Sequence, residues 1–235
     1  MILLLAAAIA VAPAPACPDA ATAEAYVCRA LAFSKGGDSA AAAQAFEQAA
    51  SQQSNEAEKA RSLAAAGNMW IAANEPGKAA LALDKALAGN SLQAEQRGEA
   101  LLDRARAAEA QNDLKTARSR ITEAAQSISE DPFLWYFSAA LAIREGDAAT
   151  AKSAIGRALS LAPNDPTVLF EAGHVFHFAG QTEEARRYWT QARDRDPNGP
   201  VGKAASQAID LLPALPADGA AGPPQKPAPV PQLKS

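Results

Sequence analysis

The chain repeats itself every 34 residues. Laying DPTVLFEAGHVFHFAGQTEEARRYWTQARDRDP (165–197) over DPFLWYFSAALAIREGDAATAKSAIGRALSLAP (131–163) superposes Asp-Pro on Asp-Pro, Gly180 on Gly146, Ala185 on Ala151, Ala192 on Ala158 and Pro197 on Pro163, each at an offset of 34. One step further back, Leu101, Ala105, Ala117, Ile121 and Ala124 fall in register. Two earlier units follow after longer junctions: Leu63, Gly67, Trp70, Ala79, Leu83 and Ala86, and before them Tyr26, Ala30, Phe33, Ala42, Phe46 and Ala49. Self-similarity at this period means that each unit is one supersecondary element, unable to bury its apolar face alone, and that neighbours stack.

The pattern inside a unit says what that element is. Leu169, Ala172, Gly173 and Phe176 follow the i, i+3, i+4, i+7 spacing of one helix face, and Ala185, Trp189 and Ala192 do so again after the break at Gly180. Two antiparallel amphipathic helices result. Gly173, Ala185 and Ala192 lack bulk where the two backbones approach, and Trp189 fills the space between them. Asp131-Pro132 and Asp165-Pro166 place a side-chain acceptor at the N-cap and proline at the first helical position, where a missing N–H costs nothing. Asn55-x-x-Glu58 predicts a capping box at the second unit.

A large residue, then small-small, an aromatic, Ala-x3-aromatic-x2-Ala and a closing Pro resembles the tetratricopeptide repeat family. Leu169, Ala172, Gly173, Phe176, Ala185, Trp189, Ala192 and Pro197 form the clearest copy, and the match spans about residues 23 to 199. The third copy departs furthest, with Arg104, Ala108 and Ser129 where Leu, an aromatic and Pro are usual. The resemblance implies an all-α, right-handed superhelical solenoid of about five helix-turn-helix hairpins, with repeats near 23–56, 60–93, 98–131, 132–165 and 166–199. The junctions before residues 60 and 98 are three and four residues long, which predicts a bend there. Residues 200–212 supply a capping helix whose apolar stripe is Val201, Ala204, Ala208 and Leu211 to Leu212. From Pro213 to Ser235 the composition turns to Pro, Ala and Gly, unsuited to a packed core and expected to be disordered.

In this family the first helix of each unit lines a concave groove. Carried over by position, the groove set is Asn68 in the second unit, Arg106 with Asp103 in the third, Phe133 and Tyr136 in the fourth, and Phe170, His174 and His177 in the fifth. Aromatic and polar groups thus gather toward the C-terminal half, where exposed rings act as anchors for a protein or peptide partner. For Tyr136 and Phe170 a second reading stands beside this one, in which they pack between consecutive first helices. The positions with which relatives clamp a partner's terminal carboxylates carry Val27, Leu31, Ala64, Asn68, Leu102 and Arg106 here. Only Asn68 matches in kind, so that activity is not expected.

The N-terminus, MILLLAAAIAVAPAPAC, joins an apolar run to Ala14-Pro15-Ala16, a small-x-small cleavage pattern of the secretory type. Residues 1–16 are read as a signal peptide and 17–212 as the mature solenoid. No Lys or Arg precedes the run, which suggests a start codon upstream of Met1. At this length the run is too short to span a bilayer. Export, periplasmic or secreted in a Gram-negative bacterium, permits a disulfide between Cys17 and Cys28. Lipidation of Cys17 is the rival reading, although Ala14 stands where lipid-attachment sites carry an aliphatic residue.

With 22 basic and 26 acidic residues, a net charge of -4 and no run of like charge, the chain has no nucleic-acid footprint. It holds no phosphate-binding glycine loop, nucleophile elbow, zinc-binding H-E-x-x-H or Cys-x-x-Cys pair, so neither an enzyme nor a cofactor is expected. Its only histidines, His174 and His177, share a face with Glu171. A zinc site needs three or four converging ligands, and each i+3 step here turns the face by about 60°. The readings in order are a groove-binding scaffold, a structural or assembly subunit of an envelope complex (pilus or outer-membrane machinery) docking by its convex face or tail, and, last, a metal-binding protein.

Overall fold

The computed structural model describes residues 17–213, so the expected signal peptide and all but the first residue of the Pro-rich tail lie outside the described residues. Eleven α-helices and no strand occur among the described residues. They are α1 (Ala23–Lys35), α2 (Ser39–Gln52), α3 (Glu56–Ala72), α4 (Pro76–Leu87), α5 (Ala94–Ala110), α6 (Leu114–Ala124), α7 (Pro132–Glu145), α8 (Ala148–Leu161), α9 (Pro166–Phe178), α10 (Thr182–Arg195) and α11 (Pro200–Asp210). Each odd-numbered helix up to α9 pairs with the next to form five hairpins, consecutive hairpins stack, and α11 closes the last one. The extra junction residues lengthen helices: α3 and α5 run to 17 residues, against 13 in α1 and α9.

One turn closes every hairpin. Gly37, Asn74, Asn112, Gly146 and Gly180 stand at the same point of the repeat, and all have positive φ, between 57° and 83°. Gly and Asn are the residues that tolerate this left-handed conformation. The next residue's N–H then donates to the carbonyl five residues earlier in each unit: Asp38 to Phe33, Glu75 to Trp70, Asp113 to Ala108, Asp147 to Ala142 and Gln181 to Phe176. This is the 6→1 bond of the Schellman motif, which satisfies a helix-end carbonyl. Asp38, Asp113 and Asp147 then cap the second helix, accepting from Ala41, Thr116 and Thr150 N–H at 3.0 Å. Asp131 and Asp165 cap α7 and α9 as their sequence context predicts. At α3 the box is half formed: Asn55 Oδ1 accepts from Ala57 and Glu58, with no bond returned by the Glu58 side chain.

Within a hairpin, a small residue on the first helix faces a large one on the second. Ala30, Gly67, Ala105, Ala139 and Gly173 are the small set; Phe46, Leu83, Ile121, Ile155 and Trp189 are the large set, and all are buried. A Cβ on Gly173 would overlap the Trp189 indole. That indole is held in place by Nε1, which donates to the Phe170 carbonyl at 3.0 Å. Trp70 sits under the preceding hairpin, its Nε1 donating to Glu47 on α2 at 3.1 Å. Its counterpart Phe33, on the first helix of the described residues, is 40% exposed.

The third unit departs as its sequence does. Arg104, its side chain mostly covered, pairs with Asp84 on α4 at 2.8 Å, and Ala108 is buried where an aromatic is usual. At the ends, a disulfide joins Cys17 to Cys28, with Cα atoms 5.6 Å apart, and Arg29 donates to the Pro18 and Ala20 carbonyls. Asp196 Oδ2 accepts from Val201 and Gly202 N–H, fixing α11 on the end of α10. The stripe of α11 is displaced from expectation. Ala205 and Leu212 are buried, but Leu211 is 83% exposed, because the helix stops at Asp210 and the chain turns.

Gly173→Leu is expected to lower stability by about 3 kcal/mol or more, since neither the indole nor the helix backbone can retreat. Gly156, exposed inside α8 with open space around it, is the control. Gly156→Ala raises stability by roughly 0.5–1 kcal/mol through helix propensity. Chemical denaturation of both variants checks the pair, and equal responses would refute this account of the hairpin contact.

Candidate functional site

The first helices of units one to four face an open channel of about 530 Å³. Units one to three contribute one position in common. Leu31 on α1, Asn68 on α3 and Arg106 on α5 occupy equivalent positions, with Phe133 on α7 closing one end. Ala64, Ala65 and Ala100 are the small residues of its lining. Leu31, at 58% exposure, adds apolar wall, whereas Leu102 is buried.

Three of the channel's polar side chains are linked, and Arg61 also lines it. Asp103 accepts from Asn68 Nδ2 at 2.8 Å through one oxygen and from Arg106 Nη1 at 2.9 Å through the other. The Arg106 guanidinium lies 5.4 Å from the centre of the Phe133 ring, a cation–π distance. Asn68, Arg106 and Phe133 thus come together through Asp103. Asp131 also lines the channel, its Oδ1 occupied by the Phe133 N–H. Glu99 stands one turn before Leu102 and Asp103. Burial raises its pKa, and Glu95, Asp103 and Asp131 raise it further. Sequence reasoning missed Glu99, although Glu99, Leu102 and Arg106 keep the i, i+3, i+7 spacing that would have found it.

Tyr136, Phe170, His174 and His177 lie outside this channel. Tyr136 is partly buried against the core shared by α7, α8 and α9, and Phe170 against the core around Trp189. Both therefore pack on the helical core. Phe133 meets Tyr136 edge to face at 4.8 Å, and Phe170 meets His174 likewise at 4.5 Å. His174 and His177 approach the Trp189 ring at 5.3 and 5.6 Å. The channel is thus lined by the first three units and the start of α7. No group of three or more His, Cys, Asp or Glu converges as metal ligands among the described residues.

This packed region holds opposed titrating groups. Burial raises the Glu171 carboxyl to about 7. It lowers His174 to about 4, with His177 adding to the effect, and it raises the Tyr136 hydroxyl to about 12, with Glu171 adding to that. The raised Glu171 contributes stability that is complete below its ordinary 4.5 and lost as pH climbs to 7. The lowered His174 does the opposite: stability is complete above its ordinary 6.5 and lost as pH falls to 4. Between 4.5 and 6.5 the folded protein carries its extra proton on Glu171 and the unfolded chain carries one on a histidine, so the two slopes cancel.

Single substitutions unmask each slope. Relative to wild type, Glu171→Gln is expected to lose up to about 3 kcal/mol of stability as pH falls from 6.5 to 4. His174→Gln loses a similar amount as pH rises from 4.5 to 7. Urea denaturation across this range tests the pair, and parallel profiles for all three proteins would contradict the assignment.

Neither family models nor curated proteins return a match to the sequence. Solved structures do. "Crystal structure of MamA protein" aligns with a TM-score of 0.59 at 18% identity, covering 83% of this chain and 98% of that one. YrrB, described as a TPR protein with an unusual peptide-binding site, gives 0.57 at 18%, covering 79% and 92%. PilW, described as a widely conserved type IV pilus biogenesis factor, gives 0.66 at 17%, covering 78% and 82%. Identities this low speak to the backbone alone, and the backbone agrees with the repeat pattern: the chain folds as a tetratricopeptide-repeat solenoid.

Proposed function

We propose that this protein is a non-enzymatic scaffold that holds a segment of a protein or peptide partner in its concave channel, and that it works in the periplasm or outside the cell. The channel carries the reading. It runs across four units, its lining includes the small residues Ala64, Ala65 and Ala100, and Leu31 offers exposed apolar surface beside oriented polar groups. A segment laid along the channel meets side-chain contacts at intervals set by the repeat. The peptide-binding description of YrrB lends support by analogy of fold. The descriptions of PilW and of the Pseudomonas aeruginosa protein pilF, which aligns at a TM-score of 0.64 and 15% identity, favour a role in an envelope assembly as the second reading. Export is supported by the apolar run and Ala14-Pro15-Ala16, and by a disulfide at the first helix, a bond suited to an oxidising compartment.

Two exposed leucines make a matched test of where a partner sits. Leu31 lines the channel, and Leu81 on α4, 65% exposed, lies outside it. A photo-cross-linking amino acid at position 31 is expected to capture a partner from the cell envelope, and one at position 81 is not. Capture at 81 alone moves the contact out of the groove and favours the assembly-subunit reading. Phe133→Ala and Arg106→Ala are each expected to weaken partner binding by about 1 kcal/mol or more while leaving helical content unchanged.

A further inference from the structure

Counted along the repeat, Arg29 on α1 stands where Ala66, Arg104, Ser138 and Ala172 stand in the later units. Those four have a common neighbour, the second helix of the unit before. Arg104 pairs with Asp84 on α4 at 2.8 Å, and Ser138 Oγ accepts from Arg118 on α6 at 2.9 Å. Ala66 is buried in a core that includes α2, and Ala172 in one that includes α8. In unit one, the first among the described residues, Arg29 faces the segment that leads into α1. Its Nη1 donates to the Pro18 carbonyl at 3.1 Å and its Nη2 to the Ala20 carbonyl at 2.9 Å.

The same segment is held at two further points. Cys17 is bonded to Cys28, the residue before Arg29, and Thr22 Oγ1 accepts from Ala25 N–H at 3.3 Å. The Arg29 guanidinium is itself steadied, 4.3 Å from the centre of the Tyr26 ring. Its two acceptors lie one and three residues beyond Cys17, so the grip of Arg29 brings the two thiols to one place and raises the effective concentration of each at the other. Closure then needs only an external disulfide such as oxidised glutathione. One protein thiolate attacks it, giving a mixed disulfide and one free glutathione, and the other thiolate displaces the second. Two electrons and two protons pass from the protein thiols to the two glutathione sulfurs.

We propose that residues 17–22 form a redox-locked cap on the first unit, in the place that a second helix occupies beneath every later unit, and that Arg29 is the positioning residue that brings Cys17 and Cys28 together. The capped helix also carries Leu31 and Ser34, so the lock steadies the first wall of the channel.

The test equilibrates the full chain with mixtures of reduced and oxidised glutathione and reads the bridged fraction. Arg29→Gln is expected to lower the equilibrium constant for the bridge about tenfold, through the loss of two hydrogen bonds from a charged donor at an exposed site. Arg29→Lys keeps the charge without the two-armed fork and recovers only part of that loss. In concentrated urea all three proteins give one constant, because the segment is no longer placed. Full recovery by Lys, or a difference that persists in urea, means that charge acts on the Cys28 thiol, and an unchanged constant in Arg29→Gln means that the arginine is ordinary surface. Each of these overturns the positioning role. The cap is read by hydrogen exchange. Reduction of the wild-type bridge is expected to speed exchange at the amides of Tyr26 to Ala30 about tenfold and to leave α9 unchanged, and Cys17→Ser does the same without reductant. Exchange in α1 that ignores the bridge, or that rises equally in α9, overturns the cap.

Discussion

The architecture depends on two helix backbones meeting at a residue with almost no side chain. Where Gly173 faces Trp189 and Gly67 faces Leu83, the large group occupies the volume that a Cβ would need. Ala30, Ala105 and Ala139, all fully buried, put no more than a methyl group at that position in the other hairpins. Close approach in every unit gives hairpins of similar shape, and similar shapes stack into a regular array. The array in turn brings Leu31, Asn68 and Arg106, which are far apart in the chain, to matched places along one channel. Packing inside each hairpin is thus the origin of the candidate site.

The abundance of alanine follows from the same constraint. An alanine interface buries less apolar area per residue than a leucine core, but it loses no side-chain rotamer freedom on folding. Each of the three tryptophans places its Nε1 on an acceptor: Trp70 at Glu47, Trp135 at Ser129 and Trp189 at Phe170. Burial of those rings costs no unpaired donor. Arginine pairs between helices add orientation on the solvent side, where each contributes little stability.

Much of the fold was legible because its rules are local. The 34-residue register, the Asp-Pro caps and the helix faces involve neighbours within one or two turns of the chain, and the structure reproduces them. The left-handed turn was legible at Gly146 and Gly180 but not at Asn74 and Asn112, where asparagine hides the same conformation under a different letter. The groove was harder to read. Asn68, Arg106 and Phe133 came from position in the repeat, whereas Tyr136 and Phe170 had two readings that only the spacing between units decides. Glu99 passed unnoticed because an acidic residue on an exposed helix face is ordinary by itself. Its raised pKa comes first from burial and then from Glu95, Asp103 and Asp131, the last of them distant in sequence.

The two ends of the array are finished by different means. At one end a covalent bridge ties the segment before α1 to that helix, and at the other Asp196 grips the start of α11 while Leu212 folds back under cover. A linear stack of units ordinarily sheds order from its termini, where a hairpin has one neighbour in place of two. These ties keep the leading segment on α1 and α11 on α10, and so oppose the fraying of the last few residues at either end.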